Sequence, residues 1–108
     1  MEIVKMVTFV PETHADMVRE AIGKAGGGRI GNYAHCSFSA KGVGRFKPGE
    51  SAHPSIGAVG ELEAVQEERI EFVCERRLAK KVMDAIRSVH PYEEVPIDIY
   101  PLICETEI

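Results

Sequence analysis

Ile3-Val4-Lys5-Met6-Val7-Thr8-Phe9-Val10 decides the fold. The octapeptide is rich in β-branched and apolar residues, and both of its alternating sets are largely apolar: Ile3, Val7 and Phe9 against Val4, Met6 and Val10. Side chains alternate between the two faces of a strand, so this pattern predicts a central strand buried on both sides. On its C-terminal side, Thr13 with Asp16 three residues later is close to a capping box. Val18, Ala21, Ile22 and Ala25 then fall at the spacing of one helical face, and Gly26 to Gly28 end that helix. The same order recurs near the other end of the chain. Ile70, Phe72 and Cys74 form the apolar side of a strand opposite Arg69 and Glu71; Leu78, Val82, Ala85, Ile86 and Val89 mark a second amphipathic helix stopped by Pro91; and Val95 to Tyr100 is a last strand, which Pro96 assigns to a sheet edge.

Between these halves, Tyr33 to Ala40 alternates as a strand with one drier face, Lys41-Gly42 reads as a turn, and Val43 to Lys47 as a returning hairpin arm. Pro48 to Gly57 has the Gly, Pro and Ser density of an irregular loop, and two strands are expected from Val59 to Cys74. The order is two β-α-β halves with an extra hairpin: an α+β, ferredoxin-like (βαβ)2 sandwich with helices on one face of the sheet. The 108 residues make one domain, 1–108. An apolar sheet face left uncovered is a liability for a monomer, so neighbouring subunits are expected to cover it.

Composition narrows the classes of function. Cys36, Cys74 and Cys104 are odd in number and widely spaced, which gives neither a disulfide framework nor a zinc-ribbon spacing and points to reduced thiols in the cytoplasm. The run Met6 to Val10 is halted by Pro11 and Glu12, short of a signal peptide or a membrane span. A net charge of -4, mixed along the chain, argues against nucleic acid or an anionic membrane as partner.

Gly26-Gly27-Gly28-Arg29-Ile30-Gly31 spells a dinucleotide fingerprint, but it follows a helix instead of opening one, and a helix C-terminus repels an anion. It is read as a cap and loop. His35 and Cys36 are adjacent, so in a regular strand they point to opposite faces and do not share a metal ion; Cys36 is placed in the core and His35 on the other face, beside Ser37. His90 closes the second helix, where the dipole favours imidazolium, with Tyr92, Glu93 and Glu94 following. The candidate ligand site is therefore His35, His90, Tyr92, Glu93 and Glu94 at a subunit boundary, with His35 and His90 as the ligands should a divalent transition metal bind. Lys41, Arg45 and Lys47 form a solvated basic hairpin, and no Ser-His-Asp order, P-loop or H-E-x-x-H pattern occurs.

Four stretches carry a family resemblance: Gly28-Arg29-Ile30-Gly31-Asn32-Tyr33-Ala34-His35-Cys36-Ser37-Phe38; Ile56-Gly57 ahead of Gly60-Glu61-Leu62-Glu63; Arg69-Ile70-Glu71; and His90-Pro91-Tyr92-Glu93-Glu94-Val95 with Asp98-Ile99-Tyr100-Pro101-Leu102. The chain resembles, over nearly its whole length, the domain inserted in the middle of Nif-three-like (NGG1p-interacting-factor-like) dinuclear-metal-centre proteins, here as a free-standing unit. The resemblance implies a fold like that of the signalling protein PII and the copper-tolerance protein CutA, and a trimer. It also implies that the family's two-metal site and its GTP cyclohydrolase label belong to flanking domains. The expected function is a small oligomeric binding or regulatory module for a small ligand, metal ion or protein partner, with no catalytic residue assigned. The alternative is a small metal-dependent enzyme using His35, His90 and nearby glutamates.

Overall fold

The computed structural model describes residues 2–108. Four strands and two helices follow one another as β1 (Ile3–Pro11), α1 (Ala15–Lys24), β2 (Phe38–Phe46), β3 (Glu63–Glu75), α2 (Ala79–Val89) and β4 (Ile97–Pro101), with a short helical turn leading into each helix. The sheet order is β2-β3-β1-β4 and every neighbouring pair is antiparallel. This is the expected ferredoxin-like α+β arrangement.

The doubly apolar octapeptide lies in the middle of the sheet, between β3 and β4. Its register sets the two faces. Val4, Met6 and Thr8 stand opposite Cys74, Phe72 and Ile70 and, with Val10, face the helices. Val18 and Ile22 of α1, with Val82 and Ile86 of α2, close the core over them. Burying several such side chains at about 1.5–3 kcal/mol each is the main term holding helices to sheet. Ile3, Lys5, Val7, Phe9 and Pro11 face the other way, opposite Glu75, Val73, Glu71, Arg69 and Glu67, and no helix covers them. Arg19 adds a polar tie on the helix side, reaching Asp16 and Glu68 at 2.6 Å each and Ser39 at 3.0 Å. Because it links α1 to both β2 and β3 while staying partly solvated, Arg19→Ala is expected to cost about 1 kcal/mol, read as a shift in the urea midpoint at unchanged slope.

Several local expectations need correction. Thr13 is not a helix cap: its hydroxyl meets His14 Nδ1 at 2.8 Å, and α1 begins without a side-chain cap. Tyr33 to Ser37 is not strand. An isolated Ile30–Tyr33 bridge and a left-handed His35 (φ 58°) break the ladder, which starts only at Phe38. Lys41-Gly42 is not a turn, because β2 runs through it in register with Glu68 and Glu67, and the two strands expected from Val59 to Cys74 are one strand of 13 residues. The extra hairpin takes a different form. Residues 43–46 and 63–66 pair with each other beyond the reach of β1, whose ladder ends at Pro11–Glu67, so a two-stranded ribbon projects from the sheet. Residues 47–62 join its arms, pinched at the base where the Gly60 amide donates to the Pro48 carbonyl at 2.9 Å.

Helix α1 ends as its glycines predict. The Gly27 amide donates to Ile22 O at 3.0 Å and the Gly26 amide to Gly23 O at 3.2 Å, the Schellman pair, with Gly26 at φ 104°.

Candidate functional site

His90 follows the last turn of α2 beside the end of β1. The residue is 7% exposed. Nε2 donates to the Phe9 carbonyl at 2.7 Å, and Nδ1 accepts the Tyr92 amide at 3.1 Å. This requires the neutral tautomer with its proton on Nε2. Burial pulls the imidazole pKa below its ordinary value, against smaller upward contributions from the Phe9 carbonyl and Glu67; nearby His14 lowers it further. The imidazolium favoured by the helix dipole is therefore overruled by desolvation.

The two backbone bonds to His90 turn the chain around the sheet edge, so that Tyr92 arrives on the uncovered face. There its hydroxyl donates a short hydrogen bond to Glu67 Oε2, and its ring meets Phe46 edge-on at 5.8 Å. Burial, then the Glu67 carboxylate, raise the phenol pKa well above its usual value, so the hydroxyl keeps its proton. Glu67 is only 8% exposed. It fits because Gly44 has no side chain: a Cβ at that position would stand 2.0 Å from Glu67 Oε1.

The 47–62 segment folds back over the same face, and the His53 amide donates to Glu93 Oε1 at 3.0 Å. Between this segment, the ribbon and Tyr92–Pro96 lies a cleft of about 920 Å3. Phe9, Phe46, Ile56 and Val95 supply apolar wall; Glu67, Arg69, Tyr92, Glu93 and Glu94 supply polar groups, and Lys41, Arg45 and Lys47 line the ribbon side. A mostly apolar concavity with a few converging polar groups is the usual form of a small-molecule site.

The sequence-derived site residues divide. Tyr92, Glu93 and Glu94 line the cleft, and His90 holds the turn that carries them. His35 lies elsewhere. It is exposed, with its ring filling the space where a Gly23 side chain would stand, at the C-terminal end of α1. That end of α1 leads to Gly28, which bonds Val73 opposite Lys5, whereas His90 bonds Phe9 at the far end of β1. One subunit therefore does not bring His35 and His90 together as metal ligands, and both ring nitrogens of His90 are occupied by backbone groups. Among the described residues no three His, Cys, Asp or Glu side chains gather as a metal-binding group. Cys36 is half-buried in the loop, not in the core. Phe9, Phe46 and Glu67 escaped sequence reasoning. The available signal was Gly42-x-Gly44, two glycines on one face of a strand, which leaves room above the backbone for a neighbouring side chain.

No family model matches the chain. Curated relatives do: GTP cyclohydrolase 1 type 2 homologs from Halalkalibacterium halodurans, 52% identical over 95% of this chain, and from Bacillus subtilis, 50% identical over 91%. A solved Bacillus cereus protein related to NIF3 is 50% identical, superposes with a TM-score of 0.84 and matches 95% of this chain. The chain is homologous to one segment of these NIF3-related proteins. It spans about a quarter of their length: 28% and 26% of the two curated relatives and 26% of the solved one. The NIF3-related segment has a CutA-like and PII-like fold. The periplasmic divalent cation tolerance protein CutA of Archaeoglobus fulgidus gives a TM-score of 0.67 at 14% identity, covering 94% of this chain and 85% of CutA. GlnK of B. subtilis, solved as an ATP complex, gives 0.63 at 12%, covering 94% of this chain and 82% of GlnK. No described helix is long and apolar enough to cross a membrane.

Proposed function

We propose that this chain is a binding or regulatory module that assembles as a homotrimer in the cytoplasm and takes a small ligand or partner in the cleft on its uncovered sheet face. The carrying observation is the cleft itself, enclosed by a ribbon, a folded-back loop and the His90-anchored turn. Tyr92, Glu93 and Glu94 are its ligand-facing residues and His90 is a positioning residue. His35, exposed at the other end of the sheet, reaches a ligand only at a boundary with another subunit, and a divalent transition metal bound there would need that subunit's donors. Assembly is supported by the part of that face outside the cleft lining, where Phe38 is 64% and Tyr100 46% exposed. Burying such residues between copies gains more than leaving them in water.

Light scattering at micromolar concentration is expected to return a trimer, and Phe38→Glu, which alters only an exposed side chain, to release single chains. A wild-type mass of one chain would remove the assembly. For the cleft, a thermal-shift screen of small molecules is expected to give hits lost with Phe46→Ala; hits indifferent to that change would remove the site.

A further inference from the structure

The floor of the cleft holds a carboxylate with no counter-charge. Glu67 is 8% exposed, yet among the described residues no lysine, arginine or histidine lies within ion-pair distance of it. Its bonding partner is the neutral Tyr92 hydroxyl on Oε2. A buried carboxylate is costly unless a cation or several donors compensate it. Arg69, two residues along β3 on the same face, is committed elsewhere: its guanidinium sits 5.6 Å from the centre of the Phe9 ring and pairs with Glu71 at 3.3 Å. Lys41, Arg45 and Lys47 also line the cleft, but none of them is within ion-pair distance of Glu67, and Lys41 and Arg45 do not supply the charge. The Arg19–Ser39 bond places the odd-numbered side chains of β2 on the helix side, so these two leave the strand away from Glu67. Glu93 and Glu94 add negative charge on the opposite wall. Around the carboxylate stand the rings of Phe46 and Tyr92, with Phe9 further along the wall, and aromatic faces attract cations. Gly42 leaves open space beside it, with nothing within 4 Å of where its Cβ would be.

We infer that the cleft is built for a small organic cation, an ammonium or amidinium group carried on an apolar body, with Glu67 as its counter-ion and Phe46 and Tyr92 as its aromatic walls. A bare metal ion fits less well, since a single buried carboxylate beside a protonated phenol is a poor ligand set. The inference rests on the cleft being a binding site and names the chemistry it selects.

The probes are benzylammonium, benzyl alcohol and benzoate, which share a ring and differ in charge. Amide chemical shifts of the intact chain are followed on titration with each, for wild type, Glu67→Gln and Phe46→Ala. Benzylammonium is expected to perturb Gly42, Gly44 and Tyr92 and to bind about tenfold or more tightly than the other two; Glu67→Gln, which keeps shape and removes charge, is expected to erase that preference. Equal binding of all three probes, abolished by Phe46→Ala, would overturn the cation while leaving the cleft as a binding site. No perturbation by benzylammonium would also overturn it, the small-molecule screen then deciding for the cleft separately. A change of oligomer mass in Glu67→Gln would show that the counter-charge is a side chain of a second copy, and would likewise overturn it.

Discussion

Gly28→Val is expected to remove at least about 3 kcal/mol of folding stability, a large part of the 5–15 kcal/mol typical of a small domain. Gly28 has φ 78°, a region that costs an ordinary residue roughly 1–2 kcal/mol and a β-branched one more. Here space is closed as well: an added Cβ would stand 2.4 Å from the carbonyl oxygen of Cys36. That contact cannot give way cheaply, because the Cys36 amide donates to Gly28 O at 2.8 Å and the Gly28 amide donates to Val73 O at 2.7 Å. The variant must break the junction joining the end of α1, the 29–37 loop and β3. Gly31→Ala is the control. It has a similar φ of 57° but nothing within 4 Å of its Cβ position, so it should lose only about 1 kcal/mol. Urea unfolding followed by circular dichroism reads both. Equal losses would mean that backbone strain alone, and not the Cys36 contact, makes Gly28 necessary.

His90→Ala is expected to cost about 3 kcal/mol, since it leaves the Phe9 carbonyl and the Tyr92 amide without partners and opens a gap where a buried ring stood. The loss should be concentrated locally, with amide exchange accelerated from Tyr92 to Val95 and ligand binding in the cleft weakened along with it. The pH dependence separates this from a generic core defect. Because burial lowers the folded-state pKa of His90 below 6.5, the unfolded chain binds the proton more readily. The stabilising effect of the neutral ring is thus present above pH 6.5 and is lost as the pH falls from there toward the lower folded value. His14, which opposes a charge on His90, and Glu67, which favours one, both face this balance. Wild type should weaken across that window and His90→Ala should show a shallower slope; parallel curves would dismiss His90 as the group responsible.

The sheet was legible because its signals are covalently local. The two-sided apolarity of Ile3–Val10, the helical spacing of Val18, Ile22, Val82 and Ile86, and the glycines after α1 each report on neighbours a few residues away. The middle of the chain misled for the same reason. Tyr33–Ala40 alternates in composition, but a ladder needs a partner, and the Gly28–Cys36 pairing with a left-handed His35 takes those residues out of register. Lys41-Gly42 resembles a turn and is overruled by the continuous β2–β3 pairing on both sides of it. Half of the candidate site was visible in His90-Pro91-Tyr92-Glu93-Glu94, where the residues are adjacent. Phe9, Phe46 and Glu67 were not, since they come from three strands and meet only through the sheet order. Chemistry alone joins His35 and His90 in the sequence, and the topology anchors them at different points along β1, near Lys5 and at Phe9.

The pinched base of the 47–62 segment also has a bearing on how the molecule tolerates damage. The Gly60–Pro48 bond and the β2–β3 ladder below it hold the two arms together whatever happens beyond them, and outward of that neck the His53–Glu93 bond is the one tie to Tyr92–Pro96 among the described hydrogen bonds. A protease that cuts between Glu50 and Ala58 would thus leave the sheet and helices as one body and open the roof of the cleft into two tethered ends. The roof of the cleft can therefore be loosened by a single peptide-bond cleavage while its floor on the sheet stays intact.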